Sequence, residues 1–276
     1  MKRFLLLAIL LTAPILRAFA QEPDSLDRYS GLDSLLTQFY VTLEREETEV
    51  KNAEFDGLIE VCKDSLTRQH VVLGIFDHYS HSRVMGEEAV AIHIYDEWIA
   101  SGKVKTRSEF EDIEKRIFAD FNRNSLIGMT APPITLIKPC GGKLTVPEKG
   151  KVAVLFFYAT DCMKCRLELV ELPKLLDSIP FEINFYAINT SSVKKDWRAV
   201  RRNLKTTNRK VSIKHLWDPE MDSNYQKLYG VTGTPKIFVT LEDGEIIGRR
   251  LELDNLQEII HYISVVYGKE EEKQNL

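Results

Sequence analysis

The 276-residue sequence has few cysteines, no membrane-length apolar run beyond its start, and no large excess of either charge. Its four cysteines, Cys62, Cys140, Cys162 and Cys165, are too few to staple a scaffold of this size. After residue 20 nothing approaches the roughly 20 consecutive apolar residues that span a bilayer, so stable membrane insertion is not expected. Lys and Arg total 37 against 41 Asp and Glu, and no basic stripe stands out. That balance argues against nucleic acid as a partner. No internal repeat is present. With 44% hydrophobic and 28% charged residues the chain is globular, and its length suits two modest domains.

The first twenty residues, MKRFLLLAILLTAPILRAFA, run from a basic start through an apolar stretch to Ala18-Phe19-Ala20. This is the layout of a secretory signal peptide (1–20), and the apolar stretch is too short for a retained anchor. No cysteine lies near the cut to carry a lipid. Cleavage removes Lys2, Arg3 and Arg17 and no acid, leaving 256 residues with a formal charge of −7 instead of −4. The expected location is exported and periplasmic, where disulfides persist.

From about 30 to 124 the periodicity is helical throughout, within an N-terminal domain placed at 21–125. Stripes run through Leu35, Leu36, Phe39 and Leu43, through Val71, Val72, Ile75, Phe76 and Tyr79, and through Ala91, Ile94, Tyr95 and Trp98. A fourth, Phe110, Ile113, Ile117 and Phe121, places Glu111 and Lys115 on the outer side. Four or five amphipathic helices packed as a bundle are expected. The pattern changes at Gly128-Met129-Thr130-Ala131-Pro132-Pro133, before an extended stretch at 134–137. Val152–Tyr158 reads as a strand covered on both faces. Cys162–Leu176 reads as a helix, with Leu167, Val170, Leu172, Leu175 and Leu176 available for burial. Strands at 181–188, 211–216, 236–241 and 246–251 alternate with helices near 197–204 and 224–229, and Asp243-Gly244 marks a hairpin. A last helix carries Leu253, Leu256, Ile259, Ile260 and Ile263 before a charged tail at 269–276. The pattern is therefore two-domain: an N-terminal α-helical bundle, then a region of alternating strands and helices.

Cys162-Met163-Lys164-Cys165 follows a buried strand and opens a helix. Unsatisfied N–H groups and the helix dipole favour a thiolate at Cys162. Lys164 adds a cation and Asp161 opposes it, so both tune that thiol. The two-residue gap lets Cys165 attack a mixed disulfide formed at Cys162. Zinc would need a second Cys or His pair, and none follows. A purely structural disulfide across so short a loop constrains little. Redox chemistry is the favoured reading, with the Cys162–Cys165 disulfide as the redox centre and no other cofactor or metal.

The stretch FFYATDCMKCRLELVEL resembles the active-site strand and helix of thioredoxin-fold proteins, and most closely the exported TlpA/ResA-like thiol–disulfide oxidoreductases. The resemblance covers about 126–268 and includes Gly128-Met129-Thr130-Ala131-Pro132 and Gly233-Thr234-Pro235. It implies a thioredoxin-like α/β/α domain (126–268) with a mixed central sheet, and a cis Pro235 against the cysteines with Thr234 pairing a substrate peptide. It also implies a role for Glu168 in managing the proton of Cys165, the alternative being an ordinary surface Glu. The sequence departs from the pattern at Asp161, where Trp is usual, at Met163-Lys164, and at Phe156, where thioredoxin has a buried Asp. The implied activity is exchange with protein thiols or disulfides, as a reductant fed by a membrane thiol carrier. Oxidase or isomerase chemistry would use the same residues. A non-catalytic scaffold whose helical domain recruits a partner is the other class. Peroxidase is disfavoured by Leu155 and Ala159 where peroxiredoxins carry Pro and Thr. A copper chaperone is disfavoured by the two-residue gap.

Cys62 reads as a small hydrophobe in a stripe with Leu58 and Leu66, and Cys140 lies in a turn. A bridge between them would tie the domains together. His78, His81 and His93 are read as capping or packing groups rather than as metal ligands.

Overall fold

The computed structural model describes residues 28–274, with side chains to residue 266. The expected signal peptide, 1–20, lies outside the described residues. Among the described residues two compact units are present, divided between Ala53 and Glu54. In the first, α1 (Ser30–Leu43) buries Leu36 and Leu43, and Lys51 Nζ donates to the Glu44 carbonyl at 3.2 Å. The next helix is α2 (Thr48–Glu60).

In the second unit, α3 (Ser65–Ser80) starts at Asp64, whose carboxylate accepts the Thr67 N–H at 2.8 Å, and it buries Val71, Val72, Leu73, Ile75, Phe76 and Tyr79. Next, α4 (Glu88–Ile94) passes directly into a π-helical turn, Tyr95–Ala100. Ser108 caps α5 (Glu109–Asn122) by accepting from Glu111 N–H, and Glu111 in return accepts from Arg107 N–H.

The rotation of α5 corrects the sequence reading. Phe110 (75% exposed), Ile113 and Ile117 face outward, while Lys115 is 3% exposed. Lys115 Nζ lies 2.5 Å from Asp77, 3.7 Å from Glu111 and 4.4 Å from the centre of the Phe76 ring. Polar partners decide the rotation: Lys115 meets Asp77, and at the next turns Ala119 and Asn122 are buried as well. Leu66 is likewise exposed, because α2 ends at Glu60 and the stripe through Cys62 is broken there.

Seven strands form one mixed sheet in the order β2-β1-β5-β4-β3-β6-β7. They are β1 (Ile134–Ile137), β2 (Lys143–Val146), β3 (Val152–Tyr158), β4 (Ile183–Asn189), β5 (Val211–Trp217), β6 (Lys236–Thr240) and β7 (Ile246–Leu251). The β3–β4 and β4–β5 pairs are parallel, whereas β6 runs antiparallel to both β3 and β7. Every residue of β3 and β4 is buried, as a continuous apolar run requires. Connecting helices are α6 (Met163–Ser178), α7 (Lys194–Asn203), α8 (Tyr225–Tyr229) and α9 (Leu253–Gln274), giving nine α-helices among the described residues. Residues of α6, α7 and α9 share a core with Val154, Phe156 and Tyr158, whereas Tyr225 and Tyr229 of α8 join Leu155 and Phe157. The expected tail is helical as far as Gln274, in keeping with its Glu- and Lys-rich sequence.

A buried polar joint fastens the helical layer to the sheet. Arg249 of β7, 2% exposed, is ion-paired with Glu88 of α4. Its Nε donates to the Ser125 carbonyl at 2.6 Å and its Nη2 to Asn122 Oδ1 at 2.8 Å. Nearby, Gly230 ends α8 at φ +64, and a Cβ there would lie 2.6 Å from the Phe121 carbonyl oxygen. Only glycine suits both the backbone angle and the close approach.

Candidate active site

The central strand delivers the cysteine pair. After Tyr158, the loop is held by Thr190, whose N–H donates to the Tyr158 carbonyl at 2.9 Å, and by Ser191 Oγ, which accepts from Thr160 N–H at 2.7 Å. Cys162 is the N-cap of α6, and its Sγ accepts the Cys165 N–H at 3.1 Å. Cys162 and Cys165 are joined as a disulfide with a Cα separation of 5.3 Å. Cys162 is half-buried and Cys165 fully buried, so only the first sulfur is open to a partner.

The residues expected beside the pair converge on it. Thr234–Pro235 is a cis peptide, and the Thr234 carbonyl oxygen lies 3.3 Å from Cys162 Sγ. Glu168, one turn beyond Cys165, is buried at 7% exposure, and its Oε2 has no hydrogen-bond partner. Burial pushes its carboxyl above the ordinary range. Glu252 and Asp254 push the same way, and Lys164 and Lys236 oppose them. The buried rings of Phe156 and Tyr158 stack 5.4 Å apart within the core that also contains Cys165.

The two tuning residues are engaged elsewhere as well. Lys164 Nζ is ion-paired with Glu252, just before α9, and Asp161 accepts from Ser191 Oγ at 3.4 Å. The cation beside Cys162 thus already has a carboxylate partner. Leu167 (65% exposed) and Val170 (70%) do not enter the core, contrary to expectation. The inward face of α6 is set by Cys165, Glu168, Leu172, Leu175 and Leu176, which leaves those two on the opposite side.

Residues 144–262 match the family model of the thioredoxin-like domain. The C-terminal region is a thioredoxin-like domain. The chain is also similar to a crystal structure of a thioredoxin-like protein from Bacteroides caccae at 13% identity and a TM-score of 0.65, covering 91% of this chain and 95% of that one. A thioredoxin domain of a thiol-disulfide oxidoreductase from Bacteroides vulgatus aligns at 22% identity and TM-score 0.43, over 50% of this chain and 96% of that one. A thiol:disulfide interchange protein from Bacteroides sp. gives 22% and 0.43, over 50% and 90%. No curated protein matches the chain.

Two residues of the thioredoxin-like site escaped the sequence reading. Lys236 directly follows the cis proline, is half-buried, and has its ammonium pushed down by burial. Glu252 reaches Lys164 from 88 residues away. Lys236 was detectable from its place after Pro235, whereas nothing local marks Glu252. Cys62 (half-buried) and Cys140 (exposed) are both free thiols, so the bridge between them is absent. His93 is paired with Asp56 at 2.9 Å, and His81 Nδ1 lies 2.8 Å from the Asp77 carbonyl oxygen. Among the described residues no group of His, Cys, Asp or Glu is arranged to hold a metal ion, and no helix is long and apolar enough to cross a membrane.

Proposed function

We propose that this chain is an exported, TlpA/ResA-like thiol–disulfide oxidoreductase that reduces disulfides in protein substrates. The observation that carries the reading is the disulfide at the N-terminus of α6, with one half-open sulfur 3.3 Å from the carbonyl before a cis proline. In the dithiol form, the Cys162 thiolate attacks one sulfur of a substrate disulfide and expels the other as a thiolate. A mixed disulfide joins Cys162 to the substrate. Cys165 loses its proton and attacks Cys162 Sγ, releasing the second substrate thiolate and leaving the Cys162–Cys165 disulfide. Two electrons pass to the substrate.

Each neighbour has a defined task in that sequence. Helix N–H groups stabilise the Cys162 thiolate. Glu168 takes the Cys165 proton, and its raised affinity for protons brings it closer to a thiol than an ordinary carboxylate is. Thr234 and Pro235 position the substrate backbone over Cys162. A membrane thiol carrier, itself a dithiol, restores the reduced form. The segment 1–20 directs export to the periplasm, and residues 21–125 form the helical domain ahead of the redox domain (126–268).

Insulin reduction by wild type and Cys162→Ser tests the reading. Loss of nearly all turnover in the variant is expected. Equal turnover would favour the scaffold alternative, in which the helical layer recruits a partner and the cysteines are incidental.

A further inference from the structure

The exchange chemistry leaves α7 unused, and this helix is unlike the rest of an acidic chain. Trp197 and Leu204 are buried in the core and Val200 packs against it. At about 100° per residue, Lys194, Lys195, Arg198, Arg201 and Arg202 then share about 120° of the opposite surface, with Lys205 just beyond the helix end. The only carboxylate of the helix, Asp196, lies away from that arc. None of these six cations forms an ion pair among the described residues; Lys194 Nζ instead sits 5.7 Å from the centre of the Trp217 ring. Lys195, Arg198, Arg201 and Arg202 line one open depression.

Such an arrangement opposes the helix. Lys194 and Arg198, Lys195 and Arg198, and Arg198 and Arg202 are like charges at three- and four-residue spacing. The dipole favours Arg201 and Arg202 in the last turn but disfavours Lys194 and Lys195 in the first. An ordinary solvated face mixes signs, and this one does not. Its position also matters. A cleft lined by Thr160, Asp161, Ser191, Val193 and Asp196 runs from the cysteine loop to the start of α7, so the helix begins near the exchange site while its basic arc faces away from that cleft.

We propose that α7 is a docking surface for an acidic segment of the protein substrate. The docking itself follows from the charge arrangement, and its link to the substrate rests on the exchange reading. Charge complementarity selects the occupant. A bilayer is the poorer fit, because Trp197 and Leu204 are buried and the basic arc carries no large apolar side chain to enter it. The linear sequence shows no basic stripe because Asp196, Trp197, Ala199 and Val200 interrupt it, and only the helix gathers the cations.

The test compares the full chain with Lys195→Gln/Arg198→Gln/Arg202→Gln, three exposed positions. Fluorescence anisotropy follows a cysteine-free Glu-rich peptide and its Lys-rich counterpart, at low and at physiological ionic strength. Wild type is expected to bind the Glu-rich peptide at least about tenfold tighter than the triple variant does, with the difference shrinking as salt rises. In a second arm, wild type reduces a synthetic disulfide peptide with Glu flanks about tenfold more efficiently than the same ring with Lys flanks, and the variant shows parity. Both proteins turn over hydroxyethyl disulfide, an uncharged linear disulfide, equally. Equal affinity for the two peptides, a Glu preference that survives the triple variant, or binding to phosphatidylglycerol vesicles without peptide binding overturns the docking surface. Peptide binding without a kinetic preference overturns its link to the substrate. Failure to turn over even hydroxyethyl disulfide removes the exchange reading, and the binding arm still judges α7.

Discussion

Two charged side chains are buried in the same compact unit, and their surroundings could hardly differ more. Arg249 is enclosed by the Glu88 carboxylate, the Ser125 carbonyl and the Asn122 side chain, so its guanidinium is matched by acceptors. Glu168 is buried almost as fully, yet its Oε2 has no partner. A buried charge with its partners in place holds a structure together. A buried carboxyl kept short of partners is costly as an anion and so holds its proton tightly, which is useful only where protons must move. The first group joins layers and the second adjoins Cys165.

The largest effect expected from breaking this contrast is on the Arg249 side. Arg249→Met strands the Glu88 carboxylate in a dry joint and should cost about 3–5 kcal/mol, read as a lower urea midpoint. Exchange per folded molecule should be unchanged, since the cysteines lie elsewhere. Glu168→Gln should do the reverse. Release of substrate from the mixed disulfide should slow by about 10²-fold near neutral pH, as followed by rapid mixing, with no loss of stability. The stability effect has a definite sign with pH. The Glu168 pKa is raised on folding, so its stabilising contribution is present below the ordinary carboxylate range and is lost as pH rises through the folded value. Urea unfolding across that range should show Glu168→Gln gaining on wild type as pH increases. Gly230→Ala is expected to have a smaller effect, about 1–3 kcal/mol from the left-handed backbone and the crowding at Phe121, measured the same way.

What could be read from the sequence divides along the same line. Cys162, Cys165 and Glu168 are three residues apart in turn, so one helix brings them together and short-range spacing suffices. Thr234-Pro235 is legible only through the resemblance to thioredoxin-fold proteins, since proline opening a strand by itself reads as an ordinary turn. The strands β3 and β4 were legible as apolar runs, since parallel central strands are covered on both sides. Less legible was anything that tertiary polar contacts decide. The spacing of Phe110, Ile113 and Ile117 gives a helix with an apolar stripe, but which face meets the core depends on Lys115 finding Asp77 and Asn122 finding Arg249. Leu167 and Val170 were misassigned because leucine-rich helices offer two apolar faces, and only the inward Cys165 and Glu168 choose between them. Glu252 was out of reach, since its pairing with Lys164 depends on how β7 and α9 return to the cysteine end.

Redox direction follows from how far the Cys162 thiolate is stabilised. Strong oxidants of this kind owe their potential to a well-stabilised reduced form. In this chain Lys164 is shared with Glu252, Asp161 adds a carboxylate beside the cysteines, and Glu168 is reluctant to ionise. The most direct measurement is the reduction potential of the Cys162–Cys165 couple by equilibration with a thiol–disulfide buffer. A value in the reducing range, near about −270 mV, is expected, and one near about −120 mV would contradict the proposed role as a reductant.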